Sequence, residues 1–172
     1  AESLRIPRVL IPVYPGAFSA LGLLLSDATR DYSRTVMLQV ADKEDLRAFS
    51  RLVVKELALL KAKAAEEMSG EGFKGRKLRL SASLAIRYAG QSFELDTPMK
   101  STLKAAISAF HQSHQLRFGH SNPAAPTEVV AVRLRATGVT DKPSLPVTAV
   151  RKSGKLQKRD EAKVFLENGT AL

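Results

Sequence analysis

Residues 78–88 have the sequence LRLSASLAIRY and alternate between apolar and polar side chains along their whole length. This alternation predicts a strand with one face against a core and the other toward solvent. A glycine-containing turn is expected at 89–91, and a shorter alternating run follows at 92–96 before Pro98 stops it. Because two such runs joined by a turn form a hairpin, the segment predicts a pair of antiparallel strands.

Two more strands and two helices are predicted on either side of this hairpin. Residues 34–40 and 130–136 alternate like the first run, whereas apolar residues recur at steps of three and four over 45–68 and 103–114. Asp42 and Ser101 stand where helix N-caps belong, and Gly70, Gly72 and Gly119 mark the helix ends. The order over 34–138 is therefore β-α-β-β-α-β. This order predicts an α+β fold of the split βαβ type, an antiparallel sheet with both helices on one face.

The composition is that of one globular domain with a tail. Of the 172 residues 44% are hydrophobic and 6% aromatic, with no Trp, so the core is built mainly from aliphatic side chains. The absence of Cys excludes disulfides, cysteine zinc sites, iron–sulfur ligation and thiol catalysis. It also fits a reducing compartment, and the predicted location is cytoplasmic.

The net charge of +10 makes nucleic acid a candidate partner. An RNA-binding sheet of this order stacks bases on aromatic side chains. The polar face of the run at 78–88 carries Arg79 and Arg87 among small residues and no aromatic side chain, which disfavours nucleic acid as a partner. The alternative function is a stand-alone basic module, which would bind RNA or another polyanion through phosphate contacts alone.

A metal site is the third hypothesis, because His111 and His114 are three residues apart on one predicted helix and His120 follows its end. A zinc site needs a further close ligand, and Cys is absent. His114 lies on the apolar stripe of the helix, so we favour a buried, hydrogen-bonded histidine. No metal is predicted.

The ends of the sequence predict a piece of a longer protein. It begins without Met on an apolar region, and the apolar stretch at 9–25 is broken by prolines and glycines. That stretch falls short of the ~20 unbroken apolar residues that span a bilayer, so no membrane partner is expected. Residues 141–172 are predicted to form a basic connection, with the start of a further strand at 164–166.

Three strings, in this order, resemble the C-terminal part of the hydantoinase A and 5-oxoprolinase family. They are IPVYPGAFSALGLLLSD at 11–27, RYAGQSFEL at 87–95, and FHQSH at 110–114 with a following Phe118-Gly119. Residues 128–138, with Glu128 and Arg133, resemble the family's next segment. The string Phe118-Gly119-His120 departs from the family, which usually has a Tyr-Gly pair followed by an aromatic residue, so the hydroxyl of that tyrosine is missing here. The residues that carry the resemblance are Pro15, Gly16, Ser19, Gly22, Asp27, Arg87, Tyr88, Gly90, Gln91, Glu94, His111, His114, Gly119, Glu128 and Arg133.

The resemblance implies a fragment of an ATP-dependent enzyme that opens a cyclic amide, such as 5-oxoproline or an N-methylhydantoin. Relatives carboxylate acetone or acetophenone. ATP and Mg would be bound by an actin-like pair of domains, of which residues 1–30 resemble the last segment, and residues 34–140 resemble the α+β domain that follows. The fragment is expected to be inactive alone, to shape the active-site cleft, and to contact the actin-like core and a B-type hydantoinase subunit.

The residues themselves suggest four local hypotheses. The turn at Pro15-Gly16 presents two helix-start amides at which an anion could sit. Ser19 is expected to cap that helix. Arg87 and Glu94 lie on either side of the Gly90 turn and are expected to form a cross-strand ion pair. Gln91 is expected to point toward the active-site partner. No catalytic residue is predicted.

Overall fold

The computed structural model describes residues 5–8 and 14–143 of the chain. The predicted connection beyond 143, and the strand expected at 164–166, lie outside the described residues. Three α-helices and four β-strands are present in this part. They are α1 Phe18–Leu25, β1 Ala28–Val40, α2 Lys43–Gly70, β2 Leu78–Tyr88, β3 Leu95–Pro98, α3 Leu103–Phe118 and β4 Thr127–Gly138, with short 3-10 turns at Pro15–Ala17 and Gly75–Lys77.

The predicted α+β class and the β-α-β-β-α-β order are confirmed. The strands form one four-stranded sheet in the order β1-β4-β2-β3, and every neighbouring pair is antiparallel. β1 and β2 therefore run in the same direction with β4 between them, which is the split βαβ arrangement. In the same way, β3 and β4 run in the same direction, with β2 between them. The middle strands of the sheet, β4 and β2, carry four of the predicted motif residues, namely Arg87, Tyr88, Glu128 and Arg133.

The two long helices, α2 and α3, cover the same face of the sheet. α2 packs on β1, β4 and β2, whereas α3 packs on β3 and β2, and the two helices contact each other. The core between them is mainly aliphatic, as predicted from the composition. Its largest fully buried side chains are Phe110, Met68, Leu84, Ile86, Leu103, Leu134, Val53, Val129 and Val132.

β1 begins at Ala28, six residues before its predicted start at Arg34. Of its first six residues only Tyr32 is buried, so the alternation that marks a half-buried strand is absent from that part. The pairing with β4 shifts between Thr35 and Leu38, where β1 carries one extra residue. Met37, in this bulge, has a φ of 49°, and bulges of this kind bend and twist an edge strand.

The helix ends follow cap chemistry closely. Asp42 is the N-cap of α2, as predicted, and its carboxylate accepts the backbone N–H groups of Glu44 and Asp45 at 2.8 and 2.9 Å. The predicted cap of α3 at Ser101 is wrong by one residue. Thr102 is the N-cap, and its hydroxyl accepts the Ala105 N–H, three residues further on, at 3.1 Å.

The hairpin loop is longer than predicted. The Gly90 turn is present, with a φ of 84° that favours glycine, and the Gln91 N–H donates to the Tyr88 carbonyl at 3.1 Å. β3, however, begins at Leu95 rather than at residue 92, and it extends through Pro98. Pro98 is tolerated because β3 is an edge strand and needs no donor on its free side.

α1 stands apart from this core. None of its residues is buried, although Ser19 is its only polar residue. Phe18, Leu23 and Leu24 are 57%, 77% and 67% exposed. A helix that is almost entirely apolar is normally enclosed by protein, so α1 presents a surface that the described part of the chain leaves uncovered.

Gly138 gives the first testable prediction, since a Cβ at this position would lie 2.5 Å from the Phe73 ring. We expect Gly138→Ala to lower the free energy of unfolding by about 1–3 kcal/mol, because an overpacked core must displace the ring or the strand. Urea unfolding followed by circular dichroism measures this. Gly70→Ala is the matched control, since nothing lies within 4 Å of its Cβ position; stability there should stay constant or rise by up to about 1 kcal/mol. Equal effects at both glycines would contradict the packing argument.

Candidate functional site

The predicted motif residues occupy three places in the structure. One group lies where β2 ends, in the turn that follows it, and along the second half of α3; we call it the motif cluster. A second group lies on and beside the sheet face that the helices leave open. The motif cluster comprises Tyr88, Gly90, Gln91, His111, His114 and Gly119; the open-face group comprises Arg87, Glu94, Glu128 and Arg133; and the remaining residues, Pro15, Gly16, Ser19, Gly22 and Asp27, precede β1.

Tyr88 is the centre of the motif cluster. Its hydroxyl accepts the backbone N–H of Asn122 at 2.8 Å and lies 2.9 Å from Nδ1 of His111. A neutral imidazole can bond this hydroxyl in either tautomer, as an acceptor through an unprotonated Nδ1 or as a donor through Nδ1–H. Burial, and then the nearby His114, lower the pKa of His111 below its ordinary 6.5, which favours this neutral form.

His114 is buried, at 4% exposure, as its place on the apolar stripe predicted. Its Nδ1 donates to the backbone carbonyl of His120 at 2.8 Å, because a carbonyl oxygen can only accept. The ring is surrounded by other aromatic rings, those of Tyr88, Phe110 and Phe118 among them, at centroid distances of 4.7–5.7 Å. Within residues 5–8 and 14–143, no three His, Asp or Glu side chains come together in a group that could hold a metal ion.

A cavity of about 410 Å³ opens beside the motif cluster. The turn at 90–92 forms one wall, and Phe93 and Phe118 form the other, with their rings edge to face at 6.4 Å. The guanidinium of Arg117 lies 5.4 and 5.7 Å from the centres of these two rings. The cavity thus has apolar aromatic walls that a cation–π contact holds in place.

The predicted ion pair between Arg87 and Glu94 is wrong. Arg87 pairs instead with Glu128, which lies directly opposite it on β4, with Nε 2.6 Å from the carboxylate. Glu94 lies in the loop before β3 and accepts from Arg133 at 2.9 Å. Both pairs therefore connect the hairpin to β4. Each of the two residues expected to pair with the other has a different partner, because the hairpin loop carries Glu94 away from Arg87.

The open face of the sheet also holds a shallow cavity of about 480 Å³. Its floor includes the small residues Ser81 and Ser83, and Arg133 and Arg135 line it. Arg135 donates two hydrogen bonds to Asp31, at 2.7 and 2.9 Å. The arginines of this cavity are therefore paired with carboxylates of the same face, and they do not form an unpaired basic stripe.

The amides proposed for anion binding are already used. Within the 3-10 turn, the N–H of Ala17 donates to the Tyr14 carbonyl at 3.2 Å and that of Phe18 to the Pro15 carbonyl. The expected cap at Ser19 is wrong, since the N-cap of α1 is Ala17 and no side chain caps it. The 3-10 turn shifts the helix start and takes the place of a side-chain cap.

Asp27 lies at the opposite end of the sheet from Tyr88. Its carboxylate accepts from Nζ of Lys142 at 2.6 Å and from the Thr140 backbone N–H at 3.2 Å. These bonds join the segment before β1 to the segment after β4. The Lys142 contact, followed by the Thr140 amide, lowers the pKa of Asp27 below its ordinary 3.8.

This contact predicts acid sensitivity. A carboxylate whose pKa is lowered by folding stabilises the protein above its unfolded pKa of about 3.9, and that contribution is lost as the pH falls further. We expect Asp27→Asn to lose less stability between about pH 4 and pH 2 than the parent chain. NMR titration should also show the Asp27 pKa rising in Lys142→Ala. An identical pH dependence with and without the carboxylate would contradict the assignment.

Several residues of the site have no sequence signal. Asn122 contributes its backbone amide and His120 its backbone carbonyl, and such contributions do not depend on side-chain type. Phe93 and Phe118 form the cavity wall although they are 25 residues apart, and only the hairpin loop brings them together. Tyr88 and His111, by contrast, belong to two motifs that the sequence had already singled out. Gln91 is exposed beside the cavity, and its direction toward a partner stays a prediction.

The chain is similar in sequence to parts of two much longer proteins. No protein-family model matches the chain. It is 30% identical over 172 residues to an uncharacterised protein of Methanocaldococcus jannaschii, spanning 98% of this chain and 23% of that protein. It is 29% identical over 157 residues to caprolactamase subunit alpha of Pseudomonas jessenii, covering 87% of this chain and 22% of that subunit. The chain thus spans less than a quarter of these relatives.

Two solved structures share the fold. The ATP-dependent caprolactamase of Pseudomonas jessenii superposes with a TM-score of 0.63 at 26% identity, over 78% of this chain and 20% of that one. A nucleotide-free acetone carboxylase superposes with a TM-score of 0.73 over 79% of this chain and 21% of that one. Its 17% identity bears on the fold alone. Among the described residues, no helix combines the length and apolar character needed to cross a membrane. The predicted resemblance is confirmed: the chain is similar in sequence and in fold to caprolactamase subunit alpha, and these homologues are ATP-dependent members of the hydantoinase and oxoprolinase-related family.

Proposed function

We propose that the chain is a domain of an ATP-dependent enzyme that acts on cyclic amides, of the hydantoinase A and 5-oxoprolinase type. The observation that carries this proposal is the similarity to caprolactamase subunit alpha across 87% of the chain, together with the shared fold. The domain has no activity by itself in this proposal. Its task is to shape the active-site cleft and to hold subunits together. The alternative, a stand-alone basic RNA-binding module, is supported by none of the matches.

The described residues do not fit ATP. Phosphate groups are held by glycine-rich turns whose amides are free to donate at a helix start. The glycine turn before α1 uses the amides of Ala17 and Phe18 for its own hydrogen bonds. The N-terminus of α2 is capped by Asp42, a carboxylate that would repel phosphate. ATP and Mg are therefore assigned to the actin-like part of the longer parent protein.

Two surfaces support a role in assembly. α1 exposes the large apolar side chains of Phe18, Leu23 and Leu24, which suits a helix enclosed by the actin-like core of the same chain. The motif cluster lies elsewhere, at the end of β2, and its cavity is open. This end of the domain is proposed to face the cleft and the B-type subunit.

ATP hydrolysis by the parent protein with its B-type subunit tests the proposal. The assay includes 5-oxoproline, hydantoins, caprolactam and small ketones, each with and without bicarbonate, beside the 172-residue chain alone. We expect one substrate to stimulate ATP hydrolysis in the assembly and none to do so with the isolated chain. A requirement for bicarbonate would identify a carboxylase and its absence a hydrolase. Turnover by the chain alone, or an assembly that no substrate stimulates, would overturn the proposal.

A further inference from the structure

The outer side of α2 carries a row of four cations, which we call the basic ridge. All four are exposed, whereas the buried side chains of the helix face the sheet. They recur at every fourth residue, so they follow one another along the helix at intervals of about 6 Å. The basic ridge consists of Lys43, Arg47, Arg51 and Lys55.

The charges of the basic ridge are not compensated by the described part of the chain. Farther along the same helix, Lys63 pairs with Glu67. Glu56 likewise pairs with Arg34 of β1. Among the ion pairs of the residues that the structure describes, none involves a residue of the ridge. The ridge is therefore a surface of α2 whose charge is free to attract an anionic group.

The ridge does not serve the stability of the helix. Like charges four residues apart repel each other on a helix surface. The N-terminal end of a helix also carries a partial positive charge, which disfavours cations near it. The carboxylates of Asp42 and Asp45 at this end already accept backbone N–H groups at 2.8–3.0 Å. Local rules of stability are broken mainly at functional positions, so this arrangement indicates a binding surface.

Aliphatic side chains lie beside the cations. Leu59 continues the row one turn after Lys55, and Val54 follows Arg51 by three residues. Leu59 and Val54 are 52% and 59% exposed. Single-stranded nucleic acid is held by cations together with aromatic side chains on which its bases stack, but Phe49, the one aromatic residue of α2, packs against the core. Cations flanked by exposed aliphatic side chains therefore favour a protein partner over nucleic acid.

We propose that the basic ridge is the docking site for an acidic amphipathic helix of a partner protein. A helix with Glu or Asp at every fourth position repeats its carboxylates at the same interval of about 6 Å, so each cation meets one carboxylate. Aliphatic residues beside those carboxylates cover Val54 and Leu59. The inference goes beyond the proposed function, because it requires neither ATP nor a cyclic amide. Either one can fail while the other stands.

A synthetic helical peptide tests the match of charges. It carries Glu at four positions spaced four residues apart, leucine beside the last of them, and a fluorescent label for anisotropy. One comparison peptide has Gln in place of each Glu, and the other has the residues of the first in an order that destroys the spacing. We expect the Glu peptide to bind the 172-residue chain about tenfold more tightly than either comparison peptide, since several exposed ion pairs add up to such a factor.

Two double variants locate the site. Arg47→Glu with Arg51→Glu reverses the middle of the ridge, whereas Lys74→Glu with Arg76→Glu makes the same change of charge between α2 and β2. All four residues are exposed, so both variants are expected to fold. The ridge variant also places a glutamate four residues from each remaining cation, so its urea midpoint should be no lower than that of the parent chain. We expect it to weaken binding of the Glu peptide about tenfold, and the control variant to weaken it less than about twofold.

Leu59→Ala tests the aliphatic part of the surface. It should weaken binding of the Glu peptide about threefold, because less apolar area is then buried against the peptide. A single-stranded oligothymidylate and vesicles containing phosphatidylserine are measured beside the peptide. The inference is overturned if the two double variants weaken binding equally, since net charge alone would then account for the contact. It is also overturned if the Gln peptide binds as tightly, or if the oligonucleotide or the vesicles bind the ridge more tightly than the Glu peptide does.

Discussion

Replacing Phe110 with alanine is expected to lower the free energy of unfolding by about 3–5 kcal/mol, the largest loss that we expect from one substitution. Phe110 is 1% exposed, and its ring contacts those of Tyr88 and His114 at centroid distances of 5.0 and 5.7 Å. Removing it opens a cavity beneath the motif cluster, and the surrounding rings close it only in part. Urea unfolding followed by far-ultraviolet circular dichroism measures the loss.

Phe118 provides the control for this change. It lies on the same helix and also contacts His114, but it is 44% exposed. We expect Phe118→Ala to cost no more than about 1.5 kcal/mol, since less apolar area leaves a buried site. Comparable losses for the two phenylalanines would mean that α3 is not seated on the sheet as described.

The second large effect is expected at the Arg87–Glu128 pair. Their side chains are 20% and 17% exposed, so Arg87→Met leaves Glu128 with a poorly solvated charge. We expect a loss of about 1.5–3 kcal/mol, the usual range for hydrogen bonds to charged groups. Arg87→Met combined with Glu128→Leu should be less destabilised than the sum of the single variants, because neither charge is then left alone. Unfolding measurements on the four proteins of this cycle give the coupling energy.

The Asp31–Arg135 pair is the matched control on the same sheet face. It has two hydrogen bonds, but its side chains are 63% and 61% exposed, so water screens the charges. The corresponding cycle should give a coupling of about 0–1 kcal/mol. If the exposed pair couples as strongly as the Arg87–Glu128 pair, burial does not determine the strength of these contacts.

Periodicity predicted the elements whose side chains contact the core. The run at 78–88 has the same bounds as β2, although Leu80 is 38% exposed and Ala85 is fully buried, and the steps of three and four predicted α2 and α3. It failed for the first half of β1, where Tyr32 alone faces the core and the other side chains are at least partly exposed. This half of β1 is held at the edge of the sheet by backbone pairing with β4. Backbone pairing does not depend on side-chain type, so the sequence pattern does not reveal it.

At the candidate site, too, the residues could be predicted from local sequence, whereas their partners far along the chain could not. The sequence placed Arg87, Glu94, Glu128 and Arg133 among the residues of interest, yet Arg87 was paired with Glu94, the nearer of the two glutamates along the chain. The true partner of Arg87 lies 41 residues away and is set by the register of β2 on β4. Register depends on the turn and on the bulge near Ala85, neither of which can be read from charge patterns.

The uncovered surface of α1 has a practical consequence for work with the isolated chain. Three large apolar side chains in one short helix favour self-association as the protein concentration rises. A shortened chain that begins at Ser26 would retain the contacts of Asp27 with Thr140 and Lys142 and would remove this surface. Such a chain should stay monomeric at the millimolar concentrations that NMR needs, and the full chain should not. The end of α1 would then mark the position at which the chain can be shortened while the remaining domain stays in solution.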